Sequence, residues 1–136
     1  MEPRGIRNNN PFNIRKGNNW KGERPVQTDK AFEEFESMAY GIRAGLKLIR
    51  NKVSGFGGKR PRLNTIRKLI YSWAPPSENQ SEKYLETVCR QVGKTSFTII
   101  REDDMDLICH IGQAMCFVET GVMLDIELFK SAWFLK

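Results

Sequence analysis

The chain has too few histidines and cysteines for most metal sites and for the common nucleophilic triads. Its 136 residues include one histidine, His110, and three cysteines. No CxxC pair occurs, so the usual ligands of a zinc site are missing. His110 follows Cys109 within a helical pattern, and adjacent residues of a helix point to different faces, so the two are not expected to act as a pair. We therefore expect no metal and no cofactor.

Long hydrophobic runs are absent as well. No apolar stretch reaches the length of a transmembrane helix, and the N-terminus lacks the apolar segment of a signal peptide. We expect the protein to be made in the cytoplasm and not to insert into a membrane. It would act elsewhere only after release or delivery. The odd number of cysteines leaves at least one free thiol, and Cys109 and Cys116 are two helical turns apart, too far to form a disulfide. The cysteines are predicted to be core thiols.

The charge balance favours an anionic partner. The formal net charge is +6 and the isoelectric point is about 9.4, which suits nucleic acid, an acidic membrane surface or an anionic cell wall. The one compact basic cluster is Lys59–Arg62, and no nucleic-acid-binding motif accompanies it. Nucleic acid is the least expected of these partners, and only charge suggests it.

The hydrophobic pattern predicts one domain, residues 1–136, with two parts. Residues 1–36 lack a helical period and are predicted to form a small lobe of loops and one or two short strands. Residues 37–136 contain about five amphipathic helices. The predicted helices span residues 38–53 and 64–73, then run from Ser77 to Gly93, from Asp103 or Asp104 to Thr120, and from about Asp125. The predicted fold class is therefore α+β and mostly α, with a monomer expected.

A short run near the start, RGIRNNNPFNIR from Arg4 to Arg15, is dense in amides and is followed by Trp20. Asparagine favours turns, and Pro11 restricts the residue before it to extended conformations, so an irregular loop is predicted. Amides bind sugar hydroxyl and N-acetyl groups, and aromatic rings stack on sugar faces. The alternative is a polar surface turn with no binding role.

Glu119 is the strongest candidate for an acid catalyst. It ends a strongly apolar helix, in the sequence Phe117-Val118-Glu119-Thr120-Gly121. The negative end of the helix dipole and apolar neighbours both disfavour a carboxylate. Both effects raise the pKa, as a general acid near neutral pH requires. The alternative is an exposed glutamate at a helix end.

A second acid and further sugar contacts are less well defined. Asp29 lies in a predicted turn of the small lobe, with Glu23, Glu33, Glu34 and Glu36 as competitors. A segment from Trp73 to Tyr84 brings together aromatic and amide side chains around a helix start. These side chains either line a groove or belong to the core.

These pieces together resemble a known family. In chain order they are RGIRNNNP (4–11), WKG (20–22), FEEFES (32–37), YGIRA (40–44), and WAP (73–75) with Glu78, Asn79 and Tyr84. The set resembles phage and prophage virion-associated proteins with a lysozyme-like domain, which are similar to glucosaminidases and lytic transglycosylases. The likeness covers residues 4 to about 93 well. In those enzymes the helix with the acid precedes the asparagine-rich segment, whereas Glu119 follows it here, which implies a circular permutation.

The resemblance implies a lysozyme-like fold and cleavage of peptidoglycan glycan strands. Glu119 would be the general acid, and Asp29 would activate water if the enzyme is a hydrolase. In a lytic transglycosylase Glu119 alone would act, and the sugar's own 6-hydroxyl would attack. The implied groove residues are Asn9, Asn10, Trp20, Trp73, Asn79 and Tyr84. Association with a virion is one route of delivery to the wall.

Two features depart from the family pattern. Phe12 stands where glycine is expected, and Val118 and Thr120 flank Glu119 where histidine and asparagine are expected. The first change implies a bulkier loop, and the second weakens the case for activity. The alternative function is a non-catalytic wall-binding or virion structural protein with the same fold.

Overall fold

The computed structural model describes residues 2–77 and 80–136, and within these it contains six helices. They are α1 (Arg4–Arg7), α2 (Met38–Gly58), α3 (Ile66–Trp73), α4 (Ser81–Val92), α5 (Met105–Thr120) and α6 (Ile126–Trp133). The five predicted helices correspond to α2 through α6. The single turn α1 lies inside the run predicted to be irregular, so that part of the prediction is wrong.

The predicted α+β class is also wrong, because the described residues contain helices and no β-sheet. Three isolated antiparallel bridges are the only extended pairings among them. They join Arg15 to Phe32, Glu23 to Phe35, and Thr65 to Ile99. The predicted β lobe in residues 1–36, and with it a lysozyme-like α+β architecture, is therefore not the fold of this chain.

Side chains take the place of a neighbouring strand in this region. The Glu34 carboxylate accepts hydrogen bonds from the backbone N–H groups of Thr28 and Asp29. The Gln27 side chain bonds to both the N–H and the carbonyl of Glu34, at 3.0 and 2.9 Å. Buried backbone groups need partners, and local side chains can supply them in place of a ladder. These side-chain bonds, and not paired strands, hold this part of the chain together.

Side-chain caps start most of the long helices. Ser37, Thr65, Asp104 and Asp125 each accept a hydrogen bond from a backbone N–H in the first turn of α2, α3, α5 and α6. The helix predicted to start at Ser77 begins four residues later, at Ser81, with no side-chain cap. At its other end α4 stops at Gly93, which has a φ of +70° as predicted for a glycine stop.

Helix α5 lies at the centre of the bundle and packs against α2, α4 and α6. Its buried residues face nearly every direction: Ile108, Cys109, Ile111, Gly112, Ala114, Met115 and Cys116. A helix that is apolar all round belongs in a core. This burial fixes the C-terminal turn of α5, which carries Glu119, against the rest of the protein.

Phe12 links the loop after α1 to the helices. It is fully buried, and its ring leaves no room for a side chain at Gly45 of α2, where a Cβ would lie 2.0 Å from Phe12 Cδ2. The same ring packs against Phe129 of α6 and near Gly112 of α5. Phe12 is thus a core residue, not the cause of a bulkier loop, and it holds the amide-rich loop against the bundle.

All three cysteines are free thiols, with Cys109 and Cys116 buried and Cys89 half-buried, as predicted. Burial raises the pKa of each, so they behave as core side chains. None of the helices in the described ranges combines the length and the apolar character needed to cross a bilayer.

Candidate active site

The Glu119 carboxyl lies where the last turn of α5 meets the amide-rich loop. Gly5 of α1 packs there, and a Cβ on it would be 3.1 Å from the Thr120 methyl group and 2.9 Å from the Asn10 carbonyl oxygen. This close approach needs glycine, and it joins two segments more than a hundred residues apart in the chain. The loop that contains the asparagine run therefore lies beside the last turn of α5.

Two side chains from different elements hold the two carboxyl oxygens of Glu119. Asn13 Nδ2 donates to Oε1 at 3.0 Å. The Tyr84 hydroxyl, from α4, donates to Oε2 at 3.1 Å. Tyr84 is only 7% exposed, so its ring also belongs to the core. Because both partners are fixed by the fold, the carboxyl has a defined orientation.

Burial raises the pKa of Glu119 above its usual value, while the hydrogen bonds from Asn13 and Tyr84 lower it. Burial is the larger effect, so the neutral carboxylic acid is favoured to a higher pH than for an ordinary glutamate. Burial and the nearby Glu119 charge also raise the pKa of Tyr84 well above 10. Tyr84 therefore stays a hydroxyl donor, and the carboxylate that forms when Glu119 gives up its proton keeps two donors.

Glu119 opens onto a cleft of about 650 Å³, which is large enough for a sugar-sized ligand. Residues that line it include Asn13, Arg15, Asn18, Phe32, Lys52, Ser72, Trp73 and Glu119. The Trp73 ring is steadied by Phe12 behind it, with ring centroids 5.7 Å apart and planes at 52°. An acid, an aromatic ring and several polar groups thus share one cavity.

Asn9 and Asn10, two of the three asparagines that the resemblance places in the groove, have structural roles. Asn10 is fully buried, and its side chain bonds to the Ile14 N–H and carbonyl and to the Glu33 carbonyl. Asn9 donates to the Phe35 carbonyl at 3.1 Å, and its own carbonyl packs on Gly41 of α2. Neither is among the residues that line the cleft.

Asp29, the predicted second acid, is held away from the cleft by hydrogen bonds. Arg4 contacts both carboxylate oxygens at 2.6 Å, and Asn8 Nδ2 donates at 3.0 Å. The N–H groups of Ala31 and Phe32 donate as well. The pKa of Asp29 lies far below its usual range, mainly because of the hydrogen bonds from the Arg4 guanidinium. Such a carboxylate stabilises the loop and is poorly suited to accept a proton.

The remaining predicted site residues are divided. Trp73 lines the cleft and Tyr84 contacts the acid, whereas Trp20 is half-buried, packs against the core and is not among the lining residues. Asn79 lies outside the described residues. The alternative acids all lie in residues 1–36, and none of them is among the residues that line the cleft: Glu23, Glu33, Glu34 and Glu36.

The main residues that the sequence did not single out are Asn13, Lys52 and Ser72. Asn13 is one of four asparagines within six residues, and it adopts a φ of +53°, a conformation that asparagine tolerates better than most residues. Lys52 and Ser72 follow ordinary helical patterns on α2 and α3. No feature of the sequence distinguishes these residues from their neighbours.

No protein-family model matches the chain. The chain is similar to Protein P5 of Pseudoalteromonas phage PM2, with 39% identity over 94 residues. The match covers 66% of this chain and 56% of the phage protein, so the chain spans little more than half the length of that relative. The relative's name states no activity.

Proposed function

We propose that this chain cleaves the glycan strands of bacterial peptidoglycan, with Glu119 as the general acid. The observation that carries the proposal is the Glu119 carboxyl itself. It is half-buried at the wall of a cleft, is held by Asn13 and Tyr84, and has a raised pKa. A neutral carboxylic acid beside a sugar-sized cavity is what protonation of a glycosidic oxygen requires.

The proposed first step is transfer of the Glu119 proton to the glycosidic oxygen as the bond from that oxygen to the sugar C1 breaks. The leaving oxygen keeps the electron pair of that bond and becomes a hydroxyl. The Glu119 carboxylate that remains accepts hydrogen bonds from Asn13 and Tyr84, which stabilise its charge. Trp73 offers an apolar face on which a sugar ring can stack.

A single carboxyl group in the cleft favours a lytic transglycosylase over a hydrolase. Hydrolases of this class ordinarily use a pair of carboxyl groups. Glu119 is the one acid among the described residues that line the cleft. Asp29 lies outside this lining and forms an ion pair with Arg4. In the single-acid route the sugar's 6-hydroxyl oxygen bonds to C1 and passes its proton back to Glu119, which closes a 1,6-anhydro ring.

The phage relative supports a role in which the protein reaches the wall during infection or release. The net charge of +6 favours an anionic polymer such as the wall, in a way that salt would weaken. Both observations also suit a wall-binding protein without activity. The contacts of Glu119 are what favour catalysis over binding alone.

The test is digestion of purified peptidoglycan by the wild-type protein and by Glu119→Gln. Glutamine keeps the shape, its amide oxygen can still accept from Asn13, and its NH2 group can donate to the Tyr84 oxygen, but it cannot donate the catalytic proton. The rate should therefore fall by about 100-fold or more. Glu86→Gln, on an exposed part of α4, is the matched control and should keep full activity. Mass spectrometry should find 1,6-anhydro ends, which are lighter than reducing ends by one water.

Equal activity of wild type and Glu119→Gln would contradict the catalytic role. Reducing ends in place of anhydro ends would keep the acid but overturn the single-carboxyl mechanism. Sedimentation of the protein with peptidoglycan in the absence of any cleavage would favour the non-catalytic alternative.

A further inference from the structure

The cleft beside Glu119 also contains two basic side chains, Lys52 of α2 and Arg15 of the loop after α1. Lys52 is half-buried, and its Nζ donates to the Ser72 hydroxyl at 2.8 Å. No ion pair within residues 2–77 and 80–136 includes Lys52. The ammonium group has therefore lost part of its hydration and gained a neutral partner in return.

Burial of a charge without a counter-ion is unfavourable, and it lowers the pKa of Lys52, with a smaller contribution from the positive charge of Arg60. A ligand that brings a negative charge to this position would supply the missing counter-ion. The Ser72 hydroxyl, already within hydrogen-bond distance of Nζ, keeps the amine directed toward α3 and the cleft.

Arg15 adds a second positive charge at the exposed part of the same cleft. Its guanidinium lies 4.9 Å from the centre of the Phe32 ring, which also lines the cleft. Stacking on an aromatic face leaves the N–H groups at the edge of a guanidinium free to donate. Arg15, like Lys52, belongs to no ion pair in the described part of the chain.

The balance of charge in the cleft is therefore positive. Glu119 is the only acid among the described lining residues, and its raised pKa favours the neutral form. A neutral glycan would satisfy the hydrogen bonds of the cleft but not these charges. A glycan with carboxylates would satisfy both, and peptidoglycan carries carboxylates on alternate amino sugars, either on the stem peptide or, where that peptide is absent, on the lactyl ether.

We propose that Lys52, assisted by Arg15, binds the carboxylate-bearing substituent of the sugar beside Glu119 and so selects acidic glycans over neutral ones. The identity of the ligand rests on the proposed function, and Lys52 acts here as a specificity-determining residue. A charge-assisted hydrogen bond of this kind contributes enough to change affinity by about 10- to 100-fold.

The first experiment compares kcat/KM for peptidoglycan strands and for chitin oligosaccharides, which are neutral amino-sugar polymers. Lys52→Met keeps the length and apolar stem of the side chain and removes the charge. It should lower the ratio of kcat/KM for peptidoglycan to kcat/KM for chitin by about tenfold or more. Lys47→Met, at an exposed position of the same helix, is the matched control and should leave the ratio unchanged. Lys52→Arg should restore part of the selectivity.

The second experiment does not depend on cleavage. Chemical-shift titration of Glu119→Gln protein with N-acetylmuramic acid and with N-acetylglucosamine should give tighter binding of the acidic sugar, lost in Glu119→Gln with Lys52→Met. Arg15→Gln, at an exposed position, should weaken the same preference.

The outcomes separate the two proposals. Selective binding of the acidic sugar that depends on Lys52, without any cleavage, would keep this subsite and overturn the catalytic function. Cleavage that depends on Glu119 with an unchanged substrate ratio in Lys52→Met would overturn the subsite alone. Equal binding of the two sugars would also overturn it.

Discussion

Glu33 should make the stability of the protein depend on pH in a direction opposite to that of most carboxylates. Its side chain is 3% exposed, and its Oε2 has no hydrogen-bond partner among the described residues. Burial and the adjacent Glu23 carboxyl raise the pKa of Glu33 to about 7, against a smaller opposing effect of Lys16. The folded protein therefore holds a proton that the unfolded chain releases.

The sign and size of the effect follow from this difference. Between about pH 4.5, the ordinary value, and about pH 7, the folded state binds one more proton than the unfolded state. Stability consequently falls as pH rises through this window, and it is lowest above pH 7. Each pH unit corresponds to about 1.4 kcal/mol, which gives an upper limit of about 3 kcal/mol for this group.

Glu33→Gln should remove this dependence, because an amide cannot ionise but can donate to Glu23 as the protonated acid does. Urea denaturation from pH 4.5 to pH 8 measures the free energy of unfolding of both proteins. The free energy of unfolding of the variant should exceed that of wild type only slightly at pH 4.5, and by about 1–3 kcal/mol above pH 7. Glu36→Gln, at an exposed position nearby, is the control. A difference between Glu33→Gln and wild type that stays constant with pH would refute the reasoning.

Three further changes test the packing and the site. Gly45→Ala should lower the free energy of unfolding by about 1–3 kcal/mol, because the new Cβ meets the Phe12 ring at 2.0 Å; an unchanged urea midpoint would contradict this. Asp29→Asn should lower the free energy of unfolding by about 1–3 kcal/mol at pH 7. Urea denaturation should show a smaller difference from wild type as pH falls, because Asp29 stabilises the fold only while its carboxylate is charged. Tyr84→Phe should slow cleavage by about tenfold. It should also extend the pH profile of cleavage to higher pH, because Glu119 loses a hydrogen-bond donor that lowers the Glu119 pKa. An unshifted profile would contradict a role of Tyr84 in setting that pKa.

The helices could be predicted from the sequence because each carries its own periodic pattern and boundary residues. In α2 the apolar residues recur every three or four positions, and Asp104 begins α5 with the expected cap. Such information is local, so it survives without knowledge of the fold. Helix α1 has four residues and no apolar stripe, and a segment of that length is too short for periodicity to show.

Residues 1–36 were mispredicted because their order comes from hydrogen bonds between side chains and the backbone. Glu34 binds the N–H groups of Thr28 and Asp29, and Asn10 binds the carbonyl of Glu33. These bonds substitute for strand pairing, but asparagine and glutamate are equally common in turns that make no such bonds. Composition alone therefore does not distinguish a lobe held by side chains from a small sheet.

The site separates in the same way into residues that sequence identifies and residues that only geometry identifies. Glu119 was predicted because the apolar residues that precede it and the helix end that follows it are visible in the local sequence. Asn13 was not preferred over Asn9 or Asn10, although it alone of the three reaches the acid. The choice among them is made by the turn that buries Asn10 and gives Asn13 a positive φ.

This division explains how the asparagine run positions Glu119 although most of its amides bond to other parts of the protein. Asn10 fixes the loop from within, and Gly5 lets the loop approach Thr120 closely. Phe12 then anchors the loop on α2 and supports Trp73 in the cleft wall. One amide, that of Asn13, is left to orient Glu119. The run is thus a support that sets the position and acidity of a carboxyl group supplied by the other end of the chain, and substitutions in it should change the Glu119 environment before they change any contact with a ligand.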